Sequence, residues 1–356
     1  MSPARSRRAA CSASTAPKPQ RKAIRVRTYR WLLLAVVVLG LSPGTFLRSE
    51  IGTRGDVAVV SVVPVPERSG VSGELTLTGA WELTSSHGWF GGFSALVAGE
   101  DAALIAGTDR GWLLDLDLSG DAPRAVPGSY RFVGERTRGR KEVVDLESLA
   151  RDPATGTLWA GYEGNNTIAR YVPGAQTAWS APPAMKNWSA NSGPETMLRL
   201  TDGRFMVLAE GAVDGSDTVH EGLLFPGDPV QGARPFAFRF ITPPDYDPVD
   251  ATQVPDGRVL ILLRRVEYAL PARFDTAIAI ADPRGITPGA AWPARVIQRL
   301  NGGVFADNFE GLAFVPSADD PAQGSLWVIA DDNFSMFQRS LLARFDWNPQ
   351  AGPLAP

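Results

Sequence analysis

Short apolar runs separated by Gly-, Asp- and Pro-containing turns fill the chain from about residue 90 onward, and five of them repeat one order of positions. Each repeat starts on a polar residue ahead of an apolar strand. It then turns, often through Gly, and ends a second apolar strand on another polar or charged residue. The repeats run from Gly92-Phe93-Ser94 to Asp109, from Asp145-Leu146-Glu147 to Glu163, and from Gly193-Pro194-Glu195 to Glu210. The last two run from Pro248-Val249-Asp250 to Arg264, and from Asn308-Phe309-Glu310 to Asp331. The polar starts fall at 94, 147, 195, 250 and 310, a period of 48 to 60 residues. A two-strand hairpin uses about fifteen residues, and two further strands fill the rest of a four-stranded blade.

The pattern predicts an all-β chain folded as a single β-propeller of five to six four-stranded blades. Val57–Val63 and Glu74–Leu77 are expected to complete a blade with Leu341–Phe345, while 173–192 and 212–246 supply outer strands and loops. In a hairpin the start of the first strand and the end of the second share one edge. Each blade should therefore bring two polar residues to one mouth of the channel: Ser94/Asp109, Glu147/Glu163, Glu195/Glu210, Asp250/Arg264 and Glu310/Asp331.

Composition narrows the chemistry. Of 35 Lys/Arg and 38 Asp/Glu in 356 residues, ten Lys/Arg and no acid lie in residues 1–48. The body, 49–356, is left with 25 bases against 38 acids, a net of −13, which disfavours nucleic acid and favours cations. The lone cysteine, Cys11, lies in the basic leader, so disulfides and cysteine catalysis in the body are excluded. With only His87 and His220, a metal must be held by oxygen, which favours Ca²⁺ and, second, Mg²⁺. The leader continues into an apolar run, Trp31–Leu41, extendable to Leu47. A positive stretch before a run of that length reads as export to the periplasm, either cleaved or kept as an anchor over 31–47. Membrane contact is expected only there, and the body is expected to be monomeric.

The Asp145–Leu149 start, its echo Asn308–Leu312, and Gly91–Ser94 with Thr108–Gly111 resemble the phytase-like family, exported bacterial proteins described as having an esterase-like activity of phytase. The resemblance covers roughly residues 80–347. It implies a propeller with acidic positions at Asp109, Asp145, Glu147, Glu163, Glu195, Glu210, Glu310 and Asp331, grouped with phosphoester hydrolases.

Several acids at one mouth repel one another unless a hard cation lies among them. The candidate ligands are those eight acids together with Asp250. Glu147 and Glu310 are candidate catalytic carboxylates, and His87 a candidate general acid. Arg264 and Arg265 break the acidic ring and are candidates to grip a phosphate, or they spoil one metal position. The same acids could instead cap strand ends and pair with arginines across blades. His87 could equally be structural, and His220 is expected at the surface. No G-x-S-x-G, P-loop, G-x-G-x-x-G or H-E-x-x-H occurs, so a serine esterase and nucleotide enzymes are disfavoured. Trp81, Trp112, Trp159, Trp327 and Trp347 are expected to pack between blades. Two functions stay open: a cation-dependent phosphoesterase of the cell envelope acting on a small phosphoester, and a non-catalytic propeller binding a ligand or protein, its acids Ca²⁺-loaded or structural.

Overall fold

A computed structural model describes residues 57–66, 71–72, 74–133, 145–175, 177–189, 193–267, 273–300, 305–335 and 337–348. All belong to one unit, Arg48–Pro356. The basic leader and the 31–47 apolar run lie outside the described residues. No described helix is long and apolar enough to cross a membrane.

The strands, numbered in chain order, are β1 (Val60–Pro64), β2 (Val71–Ser72) and β3 (Leu75–Ser85), followed by a series of blades. Blade 1 is β4 (Phe93–Ala98), β5 (Ala103–Thr108), β6 (Trp112–Asp117) and β7 (Arg124–Ala125), with β8 (Arg131–Phe132) also on β6. Blade 2 is β9 (Leu146–Arg151), β10 (Leu158–Tyr162), β11 (Thr167–Tyr171) and β12 (Ala178–Ser180). Blade 3 is β13 (Pro194–Arg199), β14 (Phe205–Ala212), β15 (Val219–Phe225) and β16 (Phe236–Ile241). Blade 4 is β17 (Asp247–Gln253), β18 (Val259–Glu267), β19 (Arg273–Ala281) and β21 (Arg295–Leu300), while β20 (Ala291–Pro293) between them runs parallel to β16 and extends blade 3. Blade 5 is β22 (Asn308–Pro316), β23 (Gly324–Asp331) and β24 (Leu341–Trp347), completed by β3 and β1, with β2 paired to β3.

The fold is thus a five-bladed β-propeller. The sixth blade left open by the sequence is absent among the described residues, because the early strands complete blade 5. Register from Leu341↔Glu82 to Trp347↔Leu75 joins both ends of the propeller in one sheet. The inner strands β4, β9, β13, β17 and β22 pack against one another in a closed ring. The free edges of these inner strands are therefore short and face one another around the axis, where they are protected.

Middle strands face a neighbouring blade on both sides, so they read as continuous apolar runs; Val259 to Leu263 are all fully buried. Five apolar cores result, one per blade–blade interface. Leu113 meets Leu146 and Leu149 between blades 1 and 2, and Trp159 meets Phe205 between blades 2 and 3. Phe238 and Ile261 share the next core, Leu260 and Leu326 the one after, and Trp81 and Leu104 the last. The expectation for the tryptophans holds: Trp81, Trp112, Trp159, Trp327 and Trp347 are all buried.

Every inner strand carries a β-bulge near its start. The unpaired residues are Ser94, Glu147, Glu195, Val249 and Glu310. A bulge bends the strand and re-aims a side chain. The bulge residue or the one after it ties inner strands together. Ser94, itself a bulge residue, donates to Leu146 O (2.6 Å) and Ser148 to Pro194 O (2.5 Å), while Asp250 Oδ2 accepts from Leu312 N (2.7 Å). Gly311, which follows the bulge in blade 5, lets the ring close, since a Cβ there would lie 2.9 Å from the Ala95 backbone.

The closure of blade 5 is centred on Trp81, stacked on Trp327 at 5.7 Å with Arg344 over both rings. Trp81→Ala is expected to cost about 3–5 kcal/mol, measured by denaturant unfolding, whereas truncation of the exposed Val57 should leave the midpoint unmoved.

Candidate functional site

The ladder registers put three residues of each blade at one end of the channel. They are Gly92/Ser94/Asp109, Asp145/Glu147/Glu163, Gly193/Glu195/Glu210, Asp247/Val249/Arg264 and Asn308/Glu310/Asp331. The first residue stands opposite the third, and the second is the bulge between them. The repeat spacing brought out this arrangement in four blades and slipped by one residue in the fourth. There Asp247, not Pro248, stands opposite Arg264, and the bulge falls on Val249.

A pocket of about 270 Å³ opens at this mouth, lined by Asp109, Glu147, Glu163, Glu195, Glu210, Arg264, Glu310, Asp331 and Asn333. Seven carboxylates therefore face one arginine. Asp145 stands beside them: ligand oxygens of Asp145, Glu147 and Glu163 lie within 4.8 Å of one another, as do those of Glu163, Glu195 and Glu210. Asp145 thus stands against Glu147, and Glu163 against Glu195. Two carboxylates that close cannot both be bare anions.

The electrostatics follow. Burial raises Asp109 to about 7, with Arg110 opposing and Glu310 adding to the rise. Burial raises Glu163 to about 7 as well; the Gly193 N–H opposes, and the Asp145 and Glu210 charges reinforce it. Glu147 and Glu195 are pushed well above the ordinary carboxylate range by burial and then by neighbouring glutamates. Asp331 is raised in the same way by burial and by Glu310. Asp247, missed in the sequence, is raised to about 6 by burial and by Glu210.

Arg264 is the internal counter-charge. Its Nη2 donates to Glu210 at 2.5 Å, and its Nη1 donates to Asn308 at 2.9 Å and to Glu310. It thus joins blades 3 and 5 across blade 4. The carboxylates hold it firmly protonated despite burial. The strand-capping alternative raised from the sequence is also present in part, because Asp331 Oδ1 accepts from Asn333 N and Glu163 from Gly193 N.

Other candidates lie elsewhere. Asp250 is fully buried one position past the bulge, where its oxygens accept Leu312 N and Ala251 N; it does not line the pocket. Arg265 points outward to Asp275 at 2.8 Å. His87 is buried in an aromatic cage, edge-on to Trp112 and Tyr130, with Nδ1 accepting from Trp89 N. None of the three is a pocket-lining residue. His220, expected at the surface, is fully buried between Glu210 O, Thr242 and Tyr246 O, so it buttresses the strand that carries Glu210.

The motifs and this geometry coincide with a known family: the family model "Phytase-like: Esterase-like activity of phytase" matches residues 88–334. The chain belongs to the phytase-like family. No curated protein matches it. Among solved structures it is similar to a catalytically inactive virginiamycin B lyase variant from Staphylococcus aureus, at 10% identity over 82% of this chain and all of that one, with a TM-score of 0.40. The Cps50 (Swd1) propeller domain of Myceliophteria thermophila gives 8% identity over 81% and 100%, with a TM-score of 0.39. The WD40 propeller of Doa1 gives 10% over 80% and 99%, with a TM-score of 0.37. Scores this low carry no functional argument for this phytase-like chain.

Two measurements test the electrostatics. A carboxyl whose folded pKa exceeds its unfolded value of about 4 keeps a proton in the native state that the unfolded chain has lost. The stabilisation is full at low pH and disappears as pH rises through the folded values near 7 for Asp109 and Glu163. Without divalent cations the melting midpoint should therefore fall by about 10 °C or more between pH 5 and pH 8, since each pKa unit is worth about 1.4 kcal/mol and each kcal/mol about 2–4 °C. Arg264→Met should destabilise the cation-free protein by about 3–5 kcal/mol at pH 8 and by less at pH 5, because it leaves Glu210 and Glu310 without a counter-charge; parallel urea titrations at the two pH values measure this.

Proposed function

We propose that this phytase-like propeller is a cation-dependent phosphoester hydrolase, acting outside the cytoplasm as its basic-then-apolar leader suggests. The observation that carries the proposal is the pair of three-carboxylate clusters sharing Glu163 at one mouth. Their donors are all oxygen, at separations that suit a cation with Ca–O distances of about 2.3–2.6 Å. Asp109 Oδ1 is buried with no hydrogen-bond partner among the described residues, a further oxygen available to a cation.

Asp145, Glu147, Glu163, Glu195 and Glu210 would hold the ion. When bound, Ca²⁺ supplies charge that polarises a phosphoryl oxygen and acidifies a water. Glu310, fixed by Arg264 and Asn308, keeps one wall of the pocket rigid. Asp109 and Asp331, from the adjoining blades 1 and 5, are available to hold a proton near the leaving oxygen. The buried cage around His87 argues against its taking part in acid catalysis.

A second reading is a non-catalytic, Ca²⁺-loaded propeller. It is favoured by the engagement of Arg264, the only cationic side chain lining the pocket among the described residues, with two carboxylates.

The test pairs a melt with an assay. Ca²⁺ should raise the melting midpoint, more at pH 8 than at pH 5, and support hydrolysis of p-nitrophenyl phosphate or its diester. Glu147→Gln and Glu310→Gln should each lower turnover at least about 10-fold. A Ca²⁺-dependent melt with no hydrolysis under any divalent ion leaves the second reading, and no melt response at all removes both.

A further inference from the structure

We propose that Arg110 is the anion-binding residue of this mouth and holds a phosphate oxygen of the substrate, an inference that rests on the phosphoester reading above. Among the described residues the pocket is lined by seven carboxylates and by one arginine already paired with two of them, which leaves no cationic side chain free for a phosphate. Arg110, a cation with no ion pair among the described residues, follows Asp109 in the chain.

Arg110 lies in the turn that ends β5, closed by Gly111 N donating to Thr108 O. Its guanidinium carbon lies 3.3 Å from the Phe334 ring centroid and 5.5 Å from that of Trp89. Aromatic faces fix the guanidinium plane while its N–H fork, which lies in that plane, stays available to a bidentate oxyanion. Among the described residues, the arginines Arg264, Arg265 and Arg299 are paired: Arg264 with Glu210 at 2.5 Å, Arg265 with Asp275 at 2.8 Å, and Arg299 with Asp275 at 3.8 Å. Arg110 forms no ion pair among the described residues.

The surroundings hold this arrangement against backbone strain. Asn333 and Phe334 both have positive φ, 46° and 49°, which side-chain-bearing residues seldom adopt in succession. Asp332 fixes them: its Oδ1 accepts from Phe334 N (3.0 Å) and from Gly92 N (3.1 Å), and its Oδ2 accepts from Ser340 (3.1 Å). Gly92, at φ 70°, is needed beneath, because a Cβ there would lie 2.3 Å from Asp109 Oδ1 and 2.7 Å from the Phe334 ring. One strained corner thus presents Asn333 to the pocket and Phe334 to Arg110. The Gly92 position lies against both the pocket-lining Asp109 and the Phe334 ring on which Arg110 stacks, so the guanidinium is held beside Asp109, where blades 1 and 5 meet.

The experiment measures inorganic phosphate binding to the Ca²⁺-loaded protein by calorimetry for wild type, Arg110→Met, Arg110→Lys and Phe334→Leu. Each variant is also checked for the Ca²⁺-dependent melting shift. Arg110→Met should weaken phosphate about 10-fold or more with the shift unchanged. Arg110→Lys should recover part of the affinity, and Phe334→Leu, which keeps the charge and loses the stack, should lie between. In turnover, Arg110→Met should raise KM and spare kcat. Equal phosphate affinity in wild type and Arg110→Met overturns the role of Arg110 and leaves the hydrolase reading intact. Absence of phosphate binding in Ca²⁺-loaded wild type overturns the hydrolase reading, and the role of Arg110 falls with it.

Discussion

Among the described residues, crowding of carboxylates around a single arginine governs the mouth of this propeller. With every acid ionised the pocket lining would carry six net negative charges in a partly buried space. Coulomb repulsion at these separations amounts to several kcal/mol per pair even with generous screening. The raised proton affinities of Asp109, Glu147, Glu163, Glu195 and Asp331 are the response of the protein alone. A hard cation would resolve the same conflict without protons. The site is destabilising in isolation and is held together by the five apolar interfaces around it.

The backbone device behind the crowding is the bulge repeated in each inner strand. Without it, period-two alternation would send neighbouring residues to opposite faces of each blade. With it, the bulge residue and the end of the second strand meet at the same edge. Most of this was legible in the sequence, because the polar residues recur at hairpin spacing on both sides of apolar runs. Blade 4 was misread by one residue for a physical reason: its bulge residue is Val249, so the next polar residue, Asp250, took its place in the pattern. Asp247-Pro248-Val249 aligned on Asp145-Leu146-Glu147 and Asn308-Phe309-Glu310 would have found the true position. Once buried, Asp250 serves the joint between inner strands, as Ser148 does in blade 2.

Residues outside the repeat were not legible in this way. His87 and His220 are both buried, one against aromatic rings and the other among backbone carbonyls, and nothing in a loop-like sequence context signals such a cage. Arg264 and Arg265 are adjacent in a strand and therefore point to opposite faces. One enters the mouth and the other meets Asp275, a difference that alternation alone would have implied. The count of blades needed the register between β3 and β24, which no periodicity along the chain contains.

The departures from five-fold repetition give the mouth a direction. Blades 2 and 3 contribute the close carboxylate clusters, and blade 4 contributes Val249 and the cation that fastens Glu210 to Glu310. Blades 1 and 5 meet at the Asp332 corner, where Asn333 and Phe334 carry positive φ and Arg110 stacks on Phe334 near Trp89. A symmetric acidic ring would hold a cation on its axis and leave a substrate no preferred side. Among the described residues the closest carboxylate clusters lie on one flank and Arg110, without an ion pair, on the other. That polarity is what a site needs if a cation and an anion are to meet in it. The repeat builds the acidic ring, and the local violations of the repeat orient it.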